Sequence, residues 1–264
     1  MFLLQDRTVI LTGASHGIGR ALAPMLAARG VHLVLNARGA APLDEAAAEC
    51  RQAGHGAGVR TVAGDASDAS VTERLVAVAM EMGGPAGFFG LIHAAAVFEP
   101  GPLLWELEPE RFRDIFASSV FATYQLARFV VPELRARRDG LIVIFGSGAA
   151  FKVQAGIAAY GAAKAAEEHL ARHVAAEAPE VTTFIFRPGI VDTRLQEQAR
   201  ESTGGASGEI RGLFRSWKEK GMLLAPRDSA ARLVEIIEEG PRKYHGQVEE
   251  SMEVRTVGGQ DPGS

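Results

Sequence analysis

Tyr160 and Lys164 stand four residues apart in "IAAYGAAKAAEEHL", residues 157–170, a stretch otherwise dominated by alanine, the strongest helix former. That spacing makes them neighbours on one helix face. A phenol ionises near pH ~10 and is a poor acid–base catalyst at neutral pH, but an adjacent ammonium favours the phenolate. The pair suits delivery of a proton to an oxygen that is gaining negative charge, or the reverse. Ser147, closing the apolar run "GLIVIFGS", adds a hydroxyl that could hydrogen-bond that oxygen. A Y-x-x-x-K spacing alone also describes a packed tyrosine and a solvated lysine, so the surrounding elements must decide.

Near the start, "VILTGASHGIGRAL" places Gly13, Gly17 and Gly19 between an apolar run and a helical one. Glycines at a strand-to-helix turn let a pyrophosphate approach the backbone, and the helix N-terminus offers unpaired N–H donors to its charge. A bound dinucleotide would supply the hydride that carbonyl reduction needs. Sites for the unphosphorylated cofactor usually carry an acid about 20 residues beyond the turn. Here the second run ends "LVLNARGAAP", with Ala37 and Arg38 and no acid before Asp44. A carboxylate would repel a 2′-phosphate and a guanidinium would match it, so NADP(H) is the expected cofactor. Arg38 also fits a plain solvated charge at a strand end. His16, within the turn, could add a second contact.

The elements that must position these groups alternate. Apolar runs "TVILTG", "HLVLNA", "VRTVAGD", "FFGLIHAAA", "GLIVIFGS" and "VTTFIFRPG" are separated by helical stretches at 18–29, 42–53, 70–82, 108–136 and 158–178. This predicts an α/β fold: a Rossmann-type doubly wound parallel sheet with helices on both faces, in a single domain spanning 1–264. Near-continuous apolar strands suit a sheet buried on both sides. "ESTGGASG" at 201–208 interrupts the pattern and predicts a flexible flap over about 194–222, with a last helix at about 226–240. The tail, about 251–264, reads as disordered.

Composition narrows the partners. The 264 residues are 47% hydrophobic and 23% charged, with a formal charge of −4 and both signs interleaved. That argues against nucleic acid and against a membrane surface, and for a small-molecule substrate. The single cysteine, Cys50, forms no intrachain disulfide, no zinc grouping stands out, and no apolar run has the length of a membrane span. A soluble, cytoplasmic protein is expected, without a metal.

Taken together, Thr12-Gly13-x-x-x-Gly17-x-Gly19, Ser147 and Tyr160-x-x-x-Lys164 resemble the short-chain dehydrogenase/reductase family, from about residue 6 to 248. The resemblance implies that Tyr160 is the general acid, that Lys164 tunes it and holds the nicotinamide ribose, and that Ser147 orients the substrate oxygen. It implies that Ser15, His16, Ile18 and Ala94 join the glycines at the cofactor, and that Asp65 and the Ala66 backbone in "GDASD" meet the adenine. In "RPGIVDT" it implies that the backbone near Val191 and the hydroxyl of Thr193 receive the carboxamide. It also implies a homodimer or homotetramer. "PGIVDTRLQEQARES", "FRSWKEKGMLL" and "SAARLVEIIEEG" are similar to the sepiapterin reductase and benzil reductase branch, which reduces carbonyls, often vicinal dicarbonyls, with NADPH.

Two positions depart from the family pattern. His93-Ala94-Ala95-Ala96 stands where Asn-Asn-Ala-Gly is usual, so the hydrogen bonds of those asparagines must be replaced or lost. Ser119, in "FASSVFATY", stands where a catalytic-site asparagine normally helps hold a water in the proton relay. Ser119 would need a second water, or the relay is weakened. These departures keep open a catalytically weak NADP(H)-sensing protein, and the same residues would also serve 3-oxoacyl reduction or alcohol oxidation.

Other candidates carry less. "FGSGA" lacks the first glycine of the G-x-S-x-G elbow, since Phe145 stands there. His169 and His173 have the i,i+4 spacing of metal ligands but no fixed acidic partner, which favours packing or a subunit contact. Phe214 and Trp217 could close over an apolar substrate or belong to the core. Glu249 and Glu250 lie near where the sepiapterin-type branch anchors its pterin, in an ambiguous register; a solvated acidic surface is the simpler account.

Overall fold

The computed structural model describes residues 3–54, 56–83 and 87–251. Seven strands, β1 (Thr8–Thr12), β2 (His32–Ala37), β3 (Val59–Ala63), β4 (Phe88–His93), β5 (Leu141–Phe145), β6 (Thr182–Arg187) and β7 (Val248–Glu250), form one sheet in the order β3-β2-β1-β4-β5-β6-β7. Every neighbouring pair is parallel. The chain runs outward from β1 to β3, then returns to start β4 on the other side of β1. That reversal opens a crevice at the carboxyl ends of β1 and β4, where ligands bind in open α/β sheets.

Both faces of the sheet are covered. Leu11, Leu33, Leu35, Val143 and Phe184 point to one side, against α1 (Gly17–Ala27), α2 (Ala40–Ala53) and α9 (Pro226–Glu238). Ile10, Val34, Leu91, Ile142 and Ile185 point to the other, against α3 (Ala69–Met82), α5 (Ala122–Arg137) and α6 (Ala158–Glu177). Successive strand residues alternate sides, so a strand buried on both faces must be apolar throughout, as the sequence reads.

The helices expected from sequence are present, with one difference. The stretch expected as one helix at 108–136 is α4 (Pro109–Phe116), a π-helical turn at Ala117–Phe121, and then α5. A π turn inserts an extra residue and breaks the regular hydrogen-bond register, which is common at functional sites. Ser119 lies within it.

The segment expected as a flap contains α7 (Arg194–Arg200) and α8 (Ser207–Glu219). Ala199, Ile210 and Phe214 pack with Phe98 in a small apolar cluster of their own, beside the main core. The tail beyond Ser251 lies outside the described residues. No described helix is long and apolar enough to cross a membrane.

Candidate active site

The glycine turn after β1 and the ends of β2, β4 and β5 enclose a cavity of about 430 Å³. It is lined by Gly13, Ser15, His16, Gly17, Ile18 and Gly19 from the turn, and Arg38, Asp65 and Ala66 from the ends of β2 and β3. Ala94 follows β4, Tyr160 and Lys164 line the cavity from α6, and Thr193 lies beside the turn, its Cγ2 3.3 Å from where a Cβ on Gly17 would be. The turn is shaped for close approach of a ligand. Gly13 has φ +69°, and a Cβ there would lie 2.6 Å from the Ala95 backbone nitrogen. His16 is the N-cap of α1 and closes the turn with extended backbone, its ring nitrogen Nδ1 2.9 Å from Ser15 Oγ.

This cradle fits a pyrophosphate: backbone donors at a helix N-terminus, no side chain in the way, and no carboxylate among the turn residues. Arg38 is exposed at the mouth and makes no ion pair among the described residues, so its guanidinium is available. Asp65 accepts the Ser67 backbone N–H at 2.8 Å. Asn36 ties β2 to β3 through the carbonyls of Val62 (2.9 Å) and Gly64 (3.1 Å), fixing the floor on which Arg38 sits.

Three expected residues sit apart from the cavity lining. Val191 is buried and bridges to Leu224 in parallel fashion, so its backbone is anchored by that contact. Ser147 Oγ accepts the Ala149 N–H at 3.2 Å and caps the short turn Gly148–Ala150. Ser119 is fully buried, and its hydroxyl has no hydrogen-bond partner among the described residues.

Helix α6 presents Tyr160, Ala163, Lys164, Glu167 and Glu168 inward, the i, i+3, i+4 spacing of one face. Its small residues have a steric purpose. At Gly161 a Cβ would sit 2.9 Å from the Ala149 carbonyl oxygen, so glycine lets the Ser147 turn rest against the helix beside Tyr160. The Tyr160 ring is half-buried and stands edge-on to Phe98 at 4.8 Å between centroids. Phe214 and Trp217 extend this apolar wall, 4.6 Å apart.

Beneath the tyrosine lies a buried polar chain. Lys164, 2% exposed, donates to the Phe145 carbonyl at 2.8 Å and to Glu167 Oε2 at 2.6 Å. Thr123 Oγ1 donates to Glu167 Oε1 at 3.2 Å, and His93 Nε2 lies 3.4 Å from that same oxygen. His93 Nδ1 is 2.6 Å from Thr12 Oγ1. The imidazole that stands in place of the first family asparagine is thus hydrogen-bonded to β1 through Thr12, while its Nε2 faces α6 buried and without a hydrogen bond.

Burial pushes the His93 imidazole down to about 3, helped by the Lys164 charge and opposed by a contact with the Ser118 backbone, so the ring is neutral. Because the folded-state value lies below the ordinary one of 6.5, the unfolded chain binds the extra proton first. Stability is then expected to fall as pH drops from about 6.5 toward 3, with a slope approaching ~1.4 kcal/mol per pH unit from this group. Denaturant melts of wild type and His93→Asn over that range check it; the variant's curve should be flatter.

Glu168 holds the serine. Its Oε1 accepts the Ser147 N–H at 3.2 Å and Arg187 Nε at 2.9 Å, and its Oε2 accepts a second Arg187 nitrogen at 2.7 Å. Arg187 in turn pairs with Glu250 at 3.2 Å, while Glu249 pairs with Arg232 at 3.4 Å. Both acids near the C-terminus are thus committed to ion pairs, and neither lines the cavity. Glu167 and Glu168 escape notice in sequence because "EEH" in a helix reads as a solvated face. The usable signal is their spacing of three and four from Lys164.

The rings of His169 and His173 meet edge to face at 4.8 Å, and no cluster of potential metal ligands occurs among the described residues. Cys50 is buried and its thiol is pushed up to about 12, chiefly by that burial.

A parallel doubly wound sheet with a phosphate cradle at its switch point and a tyrosine–lysine pair lining the same cavity points to a nicotinamide-dependent oxidoreductase. The family model for short chain dehydrogenase matches residues 7–204, and the chain belongs to that family. It is 35% identical over 210 residues to 1-deoxy-11-beta-hydroxypentalenate dehydrogenase of Streptomyces exfoliatus, covering 78% of this chain and 74% of that one. It is 30% identical over 194 residues to NADPH-dependent pterin aldehyde reductase of Arabidopsis thaliana, covering 73% and 78%. Among solved structures, a putative NAD(P) dependent gluconate 5-dehydrogenase from Beutenbergia cavernae with bound NADP is similar at TM-score 0.79 and 27% identity, covering 94% and 96%.

Proposed function

We propose that the chain is an NADPH-dependent carbonyl reductase acting on a small ketone or vicinal dicarbonyl. The observation that carries this reading is that Tyr160 and Lys164 line the same cavity as the glycine cradle and Arg38. A reduced nicotinamide bound there supplies hydride to the carbonyl carbon. Tyr160 donates its proton to the oxygen, and the Lys164 cation stabilises the phenolate that remains. Ser147, held by Glu168 through its backbone, orients the oxygen. Phe98 lines the cavity as an apolar wall backed by buried Phe214 and by Trp217, which keeps water from this side and strengthens each of these interactions.

NADP(H) is favoured because Arg38 is exposed at the mouth without a carboxylate partner, where a 2′-phosphate would offer it one. The bound NADP of the Beutenbergia cavernae relative and the cofactor named for the Arabidopsis thaliana relative are consistent with this. That pterin aldehyde reductase also keeps the sepiapterin-type branch in view, although Glu249 and Glu250 are paired elsewhere. Homodimeric or homotetrameric assembly is part of the same proposal.

NADPH and NADH consumption should be compared on vicinal diketones, a pterin diketone and an acyl thioester. Faster turnover of diketones with NADPH is expected; turnover confined to the thioester would reassign the chain to 3-oxoacyl reduction. Cofactor binding with no turnover of any carbonyl would favour the sensing protein.

A further inference from the structure

An ammonium that water does not reach is costly unless an anion and acceptors replace its hydration. Lys164 is such a group, and the Phe145 carbonyl and Glu167 occupy two of its three donors. Glu167 is itself 0% exposed and lies inside α6, under the cavity floor and outside its lining. It is gripped from two further elements: Thr123 of α5 donates to it, and the His93 ring of β4 abuts it. Thr12 Oγ1 and His93 Nδ1 are hydrogen-bonded at 2.6 Å, and the other ring nitrogen stands 3.4 Å from the carboxylate without a hydrogen bond to it. Ser119, at the usual relay position, makes no hydrogen bond to Lys164.

We propose that Glu167 is a positioning residue for the proton-transfer pair: its buried carboxylate, hydrogen-bonded by Thr123 and packed against His93, fixes Lys164 in place beneath Tyr160. The inference rests on the reading of Tyr160 and Lys164 as that pair. The titratable groups facing the couple are Tyr160 and Glu168 on α6 and His93 on β4; Thr12 and Thr123 are uncharged. Burial alone would pull the lysine down, but Glu167, then Tyr160 and Glu168, outweigh it and hold the ammonium above its ordinary value. Burial raises the Glu167 carboxyl, with Lys164 and Thr123 acting against it.

Removing the carboxylate acts in one direction on the reaction. If Lys164 then loses its proton at lower pH, the cation that supports Tyr160 is lost sooner. If it stays charged, the ammonium, no longer neutralised, favours the phenolate and removes the proton donor sooner. Either way the alkaline limb of carbonyl reduction moves toward acid.

The chain has five lysines, Lys152, Lys164, Lys218, Lys220 and Lys243, so carbon-13 labelling of lysine and a Lys164→Met control assign the ε-carbon signal of Lys164. Its titration is followed in wild type, Glu167→Gln, Glu167→Asp and Thr123→Val, with pH profiles of kcat alongside. Glu167→Gln should lower the Lys164 midpoint by about 1–3 pH units and carry the alkaline limb with it. Glu167→Asp should restore most of the shift, and Thr123→Val should move both readouts the same way by less. An unmoved midpoint in Glu167→Gln overturns the proposal; if that variant does not fold, an unmoved midpoint in Thr123→Val does so. The titration needs no turnover, so a wild type that reduces no carbonyl would sink the reductase reading and leave this result standing.

Discussion

Tyr160→Phe is expected to lower kcat for carbonyl reduction by roughly 10²–10⁴-fold, the usual contribution of a positioned general acid. The substitution removes one hydroxyl and keeps the ring, so the edge contact with Phe98 survives and the fold should not change. The phosphate cradle and Arg38 are contributed by β1, α1 and β2 and are untouched by the substitution, so the Kd for NADPH should stay within a few-fold. Loss of kcat at preserved cofactor affinity separates a proton donor from a packing residue. Steady-state kinetics and a fluorescence titration with NADPH make the comparison. Equal activity in the two proteins would leave the tyrosine with a structural role and return the chain to the sensing hypothesis.

Arg38→Asp should have the next largest effect, and on a different quantity. The guanidinium stands at the end of β2 with no competing carboxylate, so a 2′-phosphate bound there gains charge-assisted hydrogen bonds. Aspartate replaces that attraction with repulsion and offers the ribose hydroxyls of NADH an acceptor. The Kd for NADPH should rise by roughly 30-fold or more, the equivalent of losing one or two hydrogen bonds to a charged group, while NADH binding is unchanged or improved. Equal losses for both cofactors would contradict the phosphate assignment.

The parallel sheet was legible because its signal is redundant. The inner strands are buried on both faces and must be largely apolar, and six strand runs alternate with helical ones. The glycine turn and the tyrosine–lysine spacing were legible because each is local, a few residues with one geometric purpose. What the sequence hid was non-local. His93 shows only that an asparagine pair is gone; that its ring bonds Thr12 and packs against Glu167 depends on the pairing of β1 with β4 and the packing of α6. Glu167 and Glu168 resemble a solvated acidic pair until the tertiary fold turns both inward. Ser119 sits in a π turn, a local change of helix register that periodicity does not reveal. Glu249 and Glu250 could be read as ligand anchors only while their arginine partners, Arg232 and Arg187, were distant in the chain.

The central claim is that this cavity moves a hydride from NADPH to a carbonyl carbon while Tyr160 supplies the proton. The most direct test incubates the protein with a vicinal diketone and NADPH deuterated at the transferable position, and reads the product by mass spectrometry. Deuterium at the new carbinol carbon, formed by wild type and nearly absent with Tyr160→Phe, is the expected result. Saturable NADPH binding with no deuterium in any product, and no difference between the two proteins, would contradict the account.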